Sequence, residues 1–185
     1  MLRYALAILA TLAVFPAHAT EAGWAHLRDG GHVVLLRHAR AQATSDPANL
    51  DIDDCSTQSN LTDRGRQQAR KMGALFAARA TSTEKVLSSR YCRTLETARL
   101  VFGRASIEPF DALDPVAADD TAALNDHVQS ILAEIRAFSG SGNLVMVTHL
   151  EIITALIGTG AREGEAVIVR PEGETLHVLA RIINN

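Results

Sequence analysis

A chain of 185 residues with 47% apolar and 21% charged side chains suits one domain with a substantial core and excludes a polar, disordered polymer. Its formal net charge of −3 excludes a global attraction for nucleic acid or anionic lipid, so any anion site must be a local concentration of cations. Of the 18 basic residues only Lys71 and Lys85 are lysines, a skew toward planar, bidentate contacts with phosphate or carboxylate.

Arg3, the apolar run Tyr4 to Phe15 and the small-x-small triplet Ala17-His18-Ala19 have the form of a secretory signal peptide. The run is short for a bilayer span, so cleavage after Ala19 is expected in preference to an uncleaved anchor. That gives a leader over 1–19 and a domain over 20–185, periplasmic or secreted. Thr20 to Asp29 reads as a short helix stopped by Gly30-Gly31. Val33-Val34-Leu35-Leu36-Arg37-His38 is a buried strand ending in two cationic or titratable side chains. Ala39 to Asn60, rich in Asp, Ser, Pro and Asn, is a long loop of the kind that carries function.

Thr62 caps a helix running to about Arg79 with Ala69, Met72, Leu75 and Phe76 on its inner face. Val86 to Ser88 is a brief strand, Tyr91 to Phe102 a helix, and the stretch with Pro109, Asp111, Asp114 and Pro115 a loop. Thr121 to Phe138 is an amphipathic helix, Ser139 to Gly142 a turn, and Leu144 to His149 a second buried strand ending in histidine. A helix over Ile152 to Ile157 and two closing strands, Ala166 to Arg170 and Thr175 to Ile183, complete the chain. Strands alternating with helices predict an α/β fold, a three-layer α/β/α sandwich with a mostly parallel central sheet.

Open α/β sheets bind ligands at the carboxyl ends of their strands. If the two histidine-ending runs are neighbours, His38, His149 and the Arg37 guanidinium share one crevice suited to a phosphoryl group. Export also changes how Cys55 and Cys92 read: in an oxidising compartment pairing is favoured over two buried free thiols. Neither is placed as the nucleophile of a cysteine phosphatase, which requires an arginine where Leu61 and Ala98 stand.

Four segments, in order, carry a resemblance. Leu35-Leu36-Arg37-His38-Ala39 looks like an Arg-His-Gly signature with alanine in the glycine place. Leu61-Thr62, Gly65 and Gln68-Ala69 match a Leu-Thr…Gly…Gln-Ala helix start. Ser88-Ser89-Arg90 with Glu96-Thr97-Ala98 resembles Ser-Pro-x-x-Arg…Gln-Thr-Ala without the proline, and Val147-Thr148-His149 resembles a Val-Ser/Thr-His strand end. Together they make the chain similar to the smaller branch of the histidine phosphatase superfamily, the phosphoglycerate-mutase-like fold, over Gly31 to Ile183. Exported members with cysteines near the positions of Cys55 and Cys92 also look similar.

The resemblance implies that His38 attacks phosphorus and that Arg37 and Arg90 grip the non-bridging oxygens. It makes His149, protonated beside a dianion, a third donor. It implies no metal and no cofactor, and a small phosphorylated substrate or a phosphoprotein as partner. For the leaving-group proton, Asp114 is preferred over Asp111 and Glu151, and Asn60 is a further phosphate contact from the long loop. Arg40 and Arg93 read as surface arginines at the mouth, and His26, His32, His127 and His177 as structural or exposed. Ala39 would add a methyl where substrate approaches.

Rival readings remain: a Mg²⁺-dependent phosphatase built on Asp51-Ile52-Asp53, a phosphomutase, and a non-catalytic module that captures a phosphorylated ligand. The sequence leaves the physiological substrate and the oligomeric state open.

Overall fold

The computed structural model describes residues 16–80, 82–103 and 105–183. Most of the expected leader lies outside these residues, and the first helix, α1 (Pro16–Asp29), starts earlier than the expected Thr20. It is followed by β1 (Val33–Arg37), α2 (Asp63–Arg79), β2 (Thr83–Ser88), α3 (Cys92–Phe102), β3 (Ile107–Pro109), α4 (Thr121–Ala137), β4 (Asn143–Thr148), α5 (Leu150–Ile157), β5 (Ala166–Glu172) and β6 (Thr175–Ile182). The strands form one sheet in the order β3-β2-β4-β1-β5-β6. The first four lie parallel, while β5 runs antiparallel to β1 and β6 antiparallel to β5.

The central strands are apolar without alternation because both faces are covered. Val34 and Leu36 of β1, Val145 and Val147 of β4 and Ile168 of β5 point into a core closed by Trp24 and Leu27 of α1, Met72 and Phe76 of α2 and Val101 of α3. Their neighbours Val33, Leu35, Leu144, Met146 and Val167 point the other way, against Ile131 and Ile135 of α4 and Ile152 and Ile153 of α5. The three-layer sandwich follows.

Two features were not expected. β3 stands where the sequence predicts a loop, and it has only three residues, none of them buried. The closing strands form a long hairpin in which β5 continues through Pro171 to Glu172, so the turn sits at Gly173 with φ of 62°.

Thr62 caps α2 through its side chain, accepting from the Gly65 N–H at 3.0 Å, as expected. Gly65 must be glycine for another reason: a Cβ there would lie 2.1 Å from the Arg40 carbonyl oxygen. The start of α2 is thereby seated directly on the backbone just beyond His38.

Candidate active site

The parallel register of β1 and β4 pairs Leu36 with Val147 and Arg37 with Thr148. The His38 N–H donates to the Thr148 carbonyl at 3.1 Å, and the Ser89 N–H from the end of β2 donates to the Val147 carbonyl at 3.0 Å. His38, Ser89 and His149 are therefore delivered to one crevice by backbone pairing alone. The two imidazole centroids stand 5.3 Å apart, and both rings are buried.

Donor and acceptor roles around the histidines can be assigned from partners that have no choice. Nδ1 of His38 lies 2.8 Å from the Ala39 carbonyl oxygen, which can only accept, so Nδ1 carries the proton. Nε2 then holds the lone pair, and it makes no hydrogen bond among the described residues. On His149, Nη2 of Arg93 can only donate, so Nδ1 at 3.1 Å is the acceptor and Nε2 bears hydrogen. That Nε2–H donates to Ser89 Oγ at 2.9 Å, and the Ser89 hydroxyl donates to Asp114 Oδ1 at 2.8 Å. Asp114 also accepts from the Arg90 N–H at 2.8 Å and from Arg90 Nε at 2.6 Å.

This chain places the arginines differently from the sequence reading. Arg90 leans outward, its side chain half exposed, and pairs with buried Asp114 behind His149. Arg93, expected at the surface, is buried at the start of α3. It faces both His149 and Asp46, donating to the Asp46 carboxylate at 2.7 Å and 2.9 Å.

Asp46, which the sequence reading did not single out, also accepts the Ser59 N–H at 2.9 Å, so it ties the long loop to Arg93. Arg37 donates from Nη1 to the Ala161 carbonyl at 2.8 Å, while its buried Nε–H has no partner among the described residues. Its charge lies close enough to both imidazoles to oppose their protonation.

Burial holds both histidines neutral. Desolvation is the main cause that pushes His38 down to about 4; the bond to the Ala39 carbonyl opposes it, and Arg93 and Arg37 add smaller repulsions. The same burial, with Arg93, His38 and Arg37 nearby, puts His149 well below the usual histidine range. His149 is thus neutral in the absence of a dianion.

Asn60 spends its amide on the loop itself, donating to the Cys55 and Gln58 carbonyls at 2.6 Å and 3.1 Å. Glu151 and Asp111 are exposed. Ala39 is fully buried and packs into the core, with its N–H on Thr97 Oγ1 at 3.0 Å, so its methyl does not face the crevice. Of the remaining histidines, His32 braces a turn through the Gly30 carbonyl at 2.7 Å and His177 faces Glu172 at 3.5 Å. The ring of His26 lies tilted against that of His32, and His127 Nδ1 is buried without a partner among the described residues.

Cys55 and Cys92 form a disulfide. It fastens the long loop to the first residue of α3, beside Arg93. Gln58 seconds it, accepting the Cys92 N–H at 2.9 Å.

Asp51 and Asp53 lie exposed in that loop, with Asp51 Oδ1 accepting the Asp53 N–H at 3.0 Å. Among the described residues no group of three His, Cys, Asp or Glu side chains is placed to hold a metal ion, and no helix is long and apolar enough to cross a membrane.

Known proteins resemble this chain in sequence and in fold. The model of the histidine phosphatase superfamily, branch 1, matches residues 33–114, which contain Arg37, His38 and Arg93. The mitochondrial serine/threonine-protein phosphatase Pgam5 of Drosophila grimshawi is 34% identical over 70 residues, covering 38% of this chain and 22% of the fly protein. The chain thus matches about a fifth of that relative's length.

Two solved structures share the fold. One is assigned as an α-ribazole-5′-phosphate phosphatase from Escherichia coli (TM-score 0.63, 19% identity, 83% of this chain and 98% of that one). The other is assigned as the phosphohistidine phosphatase SixA from Agrobacterium tumefaciens (TM-score 0.59, 18% identity, 83% and 98%). The segment that carries Arg37, His38 and Arg93 thus matches the histidine phosphatase superfamily, branch 1, and the chain as a whole shares the fold of these solved structures.

Proposed function

We propose that this protein hydrolyses a phosphomonoester or a phosphohistidine through a phosphohistidine intermediate on His38. The observation that carries the reading is the state of that ring: neutral, with Nδ1–H fixed on the Ala39 carbonyl and the Nε2 lone pair unengaged in a crevice flanked by arginine. A neutral imidazole locked in one tautomer is a competent nucleophile at neutral pH.

In the proposed sequence Nε2 attacks phosphorus in line; as the new P–N bond forms, the P–O bond of an ester, or the P–N bond of a phosphohistidine substrate, breaks and the leaving group takes a proton from water. Arg37 and Arg93, whose charges both act on His38, bind the non-bridging oxygens and offset the charge on the transferring group. A dianion beside His149 Nδ1 raises that group's affinity for a proton, converting it from an acceptor of Arg93 into a further donor. Water then attacks phosphorus, the P–N bond breaks, and inorganic phosphate leaves. The positive charge comes from side chains, so the reaction is proposed to need no metal and no cofactor.

The leaving-group proton is the step with least support on Asp114. Both its oxygens accept hydrogen bonds behind His149, which describes a carboxylate and not an acid. The reading therefore favours substrates whose leaving groups need little protonation, phosphohistidine among them. A small phosphorylated molecule or a phosphoprotein remains the proposed partner, without nucleic acid. Export to a periplasm or secretion after cleavage at Ala19 is proposed with it, supported by the disulfide, which suits an oxidising compartment.

The test is hydrolysis of p-nitrophenyl phosphate with and without EDTA, together with trapping of labelled phosphate on the protein. Turnover that survives chelation, with acid-labile, base-stable label lost in His38→Ala, is the expected result. Turnover abolished by EDTA, or unaffected by His38→Ala, would overturn it, and tight phosphate binding with neither turnover nor label identifies a binding module.

A further inference from the structure

We infer that the substrate carries a second anionic group, a carboxylate or a phosphate, held in a basic cleft beside the catalytic crevice. The inference rests on the phosphatase reading and adds a substrate class to it.

The cleft encloses about 680 Å³ between α2 and the segment before β5, a size suited to a small organic ligand. Arg40, Arg64, Lys71 and Arg162 line it, with Glu163 and Glu165 as its carboxylates. Those carboxylates are already committed. Glu165 is buried and accepts from Arg181 Nη1 at 2.8 Å and from the Arg162 N–H at 2.7 Å. Glu163 accepts the Ala41 N–H at 3.0 Å and faces Arg40 Nε at 3.8 Å.

The exposed guanidiniums of Arg64 and Arg162, by contrast, make no hydrogen bond or ion pair among the described residues. Their planar forks match carboxylate or phosphate. Such a local excess of positive charge, in a chain whose net charge is −3, is where an anion would be drawn.

The position ties this cleft to the chemistry. Arg40 lies two residues beyond His38, and its carbonyl accepts the Thr62 N–H at 3.0 Å, which seats it against α2. The Gly164 N–H, next to Glu163, donates to the His38 carbonyl at 2.9 Å. Arg37 itself reaches across to the Ala161 carbonyl, one residue before Arg162. The wall of the cleft is thus bonded to the backbone that carries the nucleophile, and all of it lies at the same carboxyl edge of the sheet. A ligand with its phosphoryl group on His38 can extend its body over Arg40 and place a second anion between Arg64 and Arg162.

The experiment compares 4-alkylphenyl phosphates with counterparts whose alkyl chain ends in a carboxylate, over chains of increasing length. The readout is the ratio of kcat/KM, carboxylated over plain, within each protein. We expect a ratio of five or more at one chain length, falling to near one in the Arg64→Gln/Arg162→Gln protein. The ratio should persist in Arg70→Gln/Arg99→Gln, which removes the same charge from exposed positions elsewhere. No chain length with a ratio above two, or a ratio that survives Arg64→Gln/Arg162→Gln or is lost equally in the remote pair, overturns the inference.

Calorimetric titration of the same compounds separates this from failure of the phosphatase reading. Tighter binding of the carboxylated series, dependent on Arg64 and Arg162, supports the cleft even if no member is hydrolysed. Equal binding of both series overturns it.

Discussion

Arg90 and Arg93 stand three positions apart on the turn into α3, yet their guanidiniums go opposite ways. The helix begins at Cys92, so Arg93, Thr94 and Thr97 fall on its inward face, while Arg90 precedes it and turns out to Asp114. Counted from Ser89, the Ser-Pro-x-x-Arg spacing arrives at Arg93 and not at Arg90, so the sequence already held the assignment that the start of the helix makes. Arg93→Ala is expected to lower kcat/KM by roughly a hundredfold or more, as for other donors to a transferring anion, and Arg90→Ala by less than about tenfold through Asp114 and Ser89. Equal losses in steady-state assays would return Arg90 to the phosphoryl group. The pH profile belongs to the same scale. The nucleophile is neutral His38, whose burial holds it down at about 4, so kcat/KM should stay level from neutral pH down to about 5 and fall on passing through 4. An acid limb centred near 6.5 would mean that the ring is solvated as in a free peptide.

At the scale of elements, the parallel core was legible because Val33 to Leu36 and Leu144 to Val147 are apolar on consecutive positions, which only burial on both faces explains. The capping of α2 by Thr62 was legible for the same local reason. The three residues of β3 were not, since they pair only with β2 and leave no periodic trace. Nor was the path of the loop from Ala39 to Asn60, whose order comes from contacts distant in sequence: Asp46 on Arg93, Gln58 on the Cys92 N–H, and Cys55 on Cys92 itself. The expectation of paired cysteines found the clamp but not what it holds. The disulfide spans a sequence separation of 37, and closing such a loop is worth roughly 4 kcal/mol in the chain-entropy account. Reduction, or Cys55→Ser with Cys92→Ser, should lower the melting temperature by about 10 °C for a domain of this size. It should also depress turnover, because Asp46 would cease to hold Arg93 in place. A melting temperature that falls while kcat/KM stays unchanged under dithiothreitol would show that Asp46 and Gln58 seat the loop without the covalent bond.

For the whole molecule, the two buried imidazoles couple the site to global stability. In the unfolded chain each binds a proton at about 6.5, whereas in the fold His38 is pushed down to about 4 and His149 well below its usual range, chiefly by desolvation. Between these limits the unfolded state binds more protons, so stability rises with pH there and is lost as pH falls from 6.5 toward 4. His38 alone accounts for a change on the order of 3 kcal/mol, a large share of the roughly 5–15 kcal/mol that holds a typical domain together. Carboxylates such as Glu21 and Asp54, lowered by their hydrogen bonds to Arg79 and Ser56, act in the same direction but only below about 4.5, where their unfolded forms begin to protonate. The window from pH 6.5 to 5 therefore belongs to histidine. Urea titrations across it should show a midpoint that falls steadily toward acid. His38→Ala removes one of the two groups, so its midpoint should fall less steeply over the same window even if the protein is less stable at pH 7. A His38→Ala protein that keeps the full wild-type slope would mean that the proton uptake driving acid unfolding occurs elsewhere in the chain, and that this ring is not held neutral by the fold.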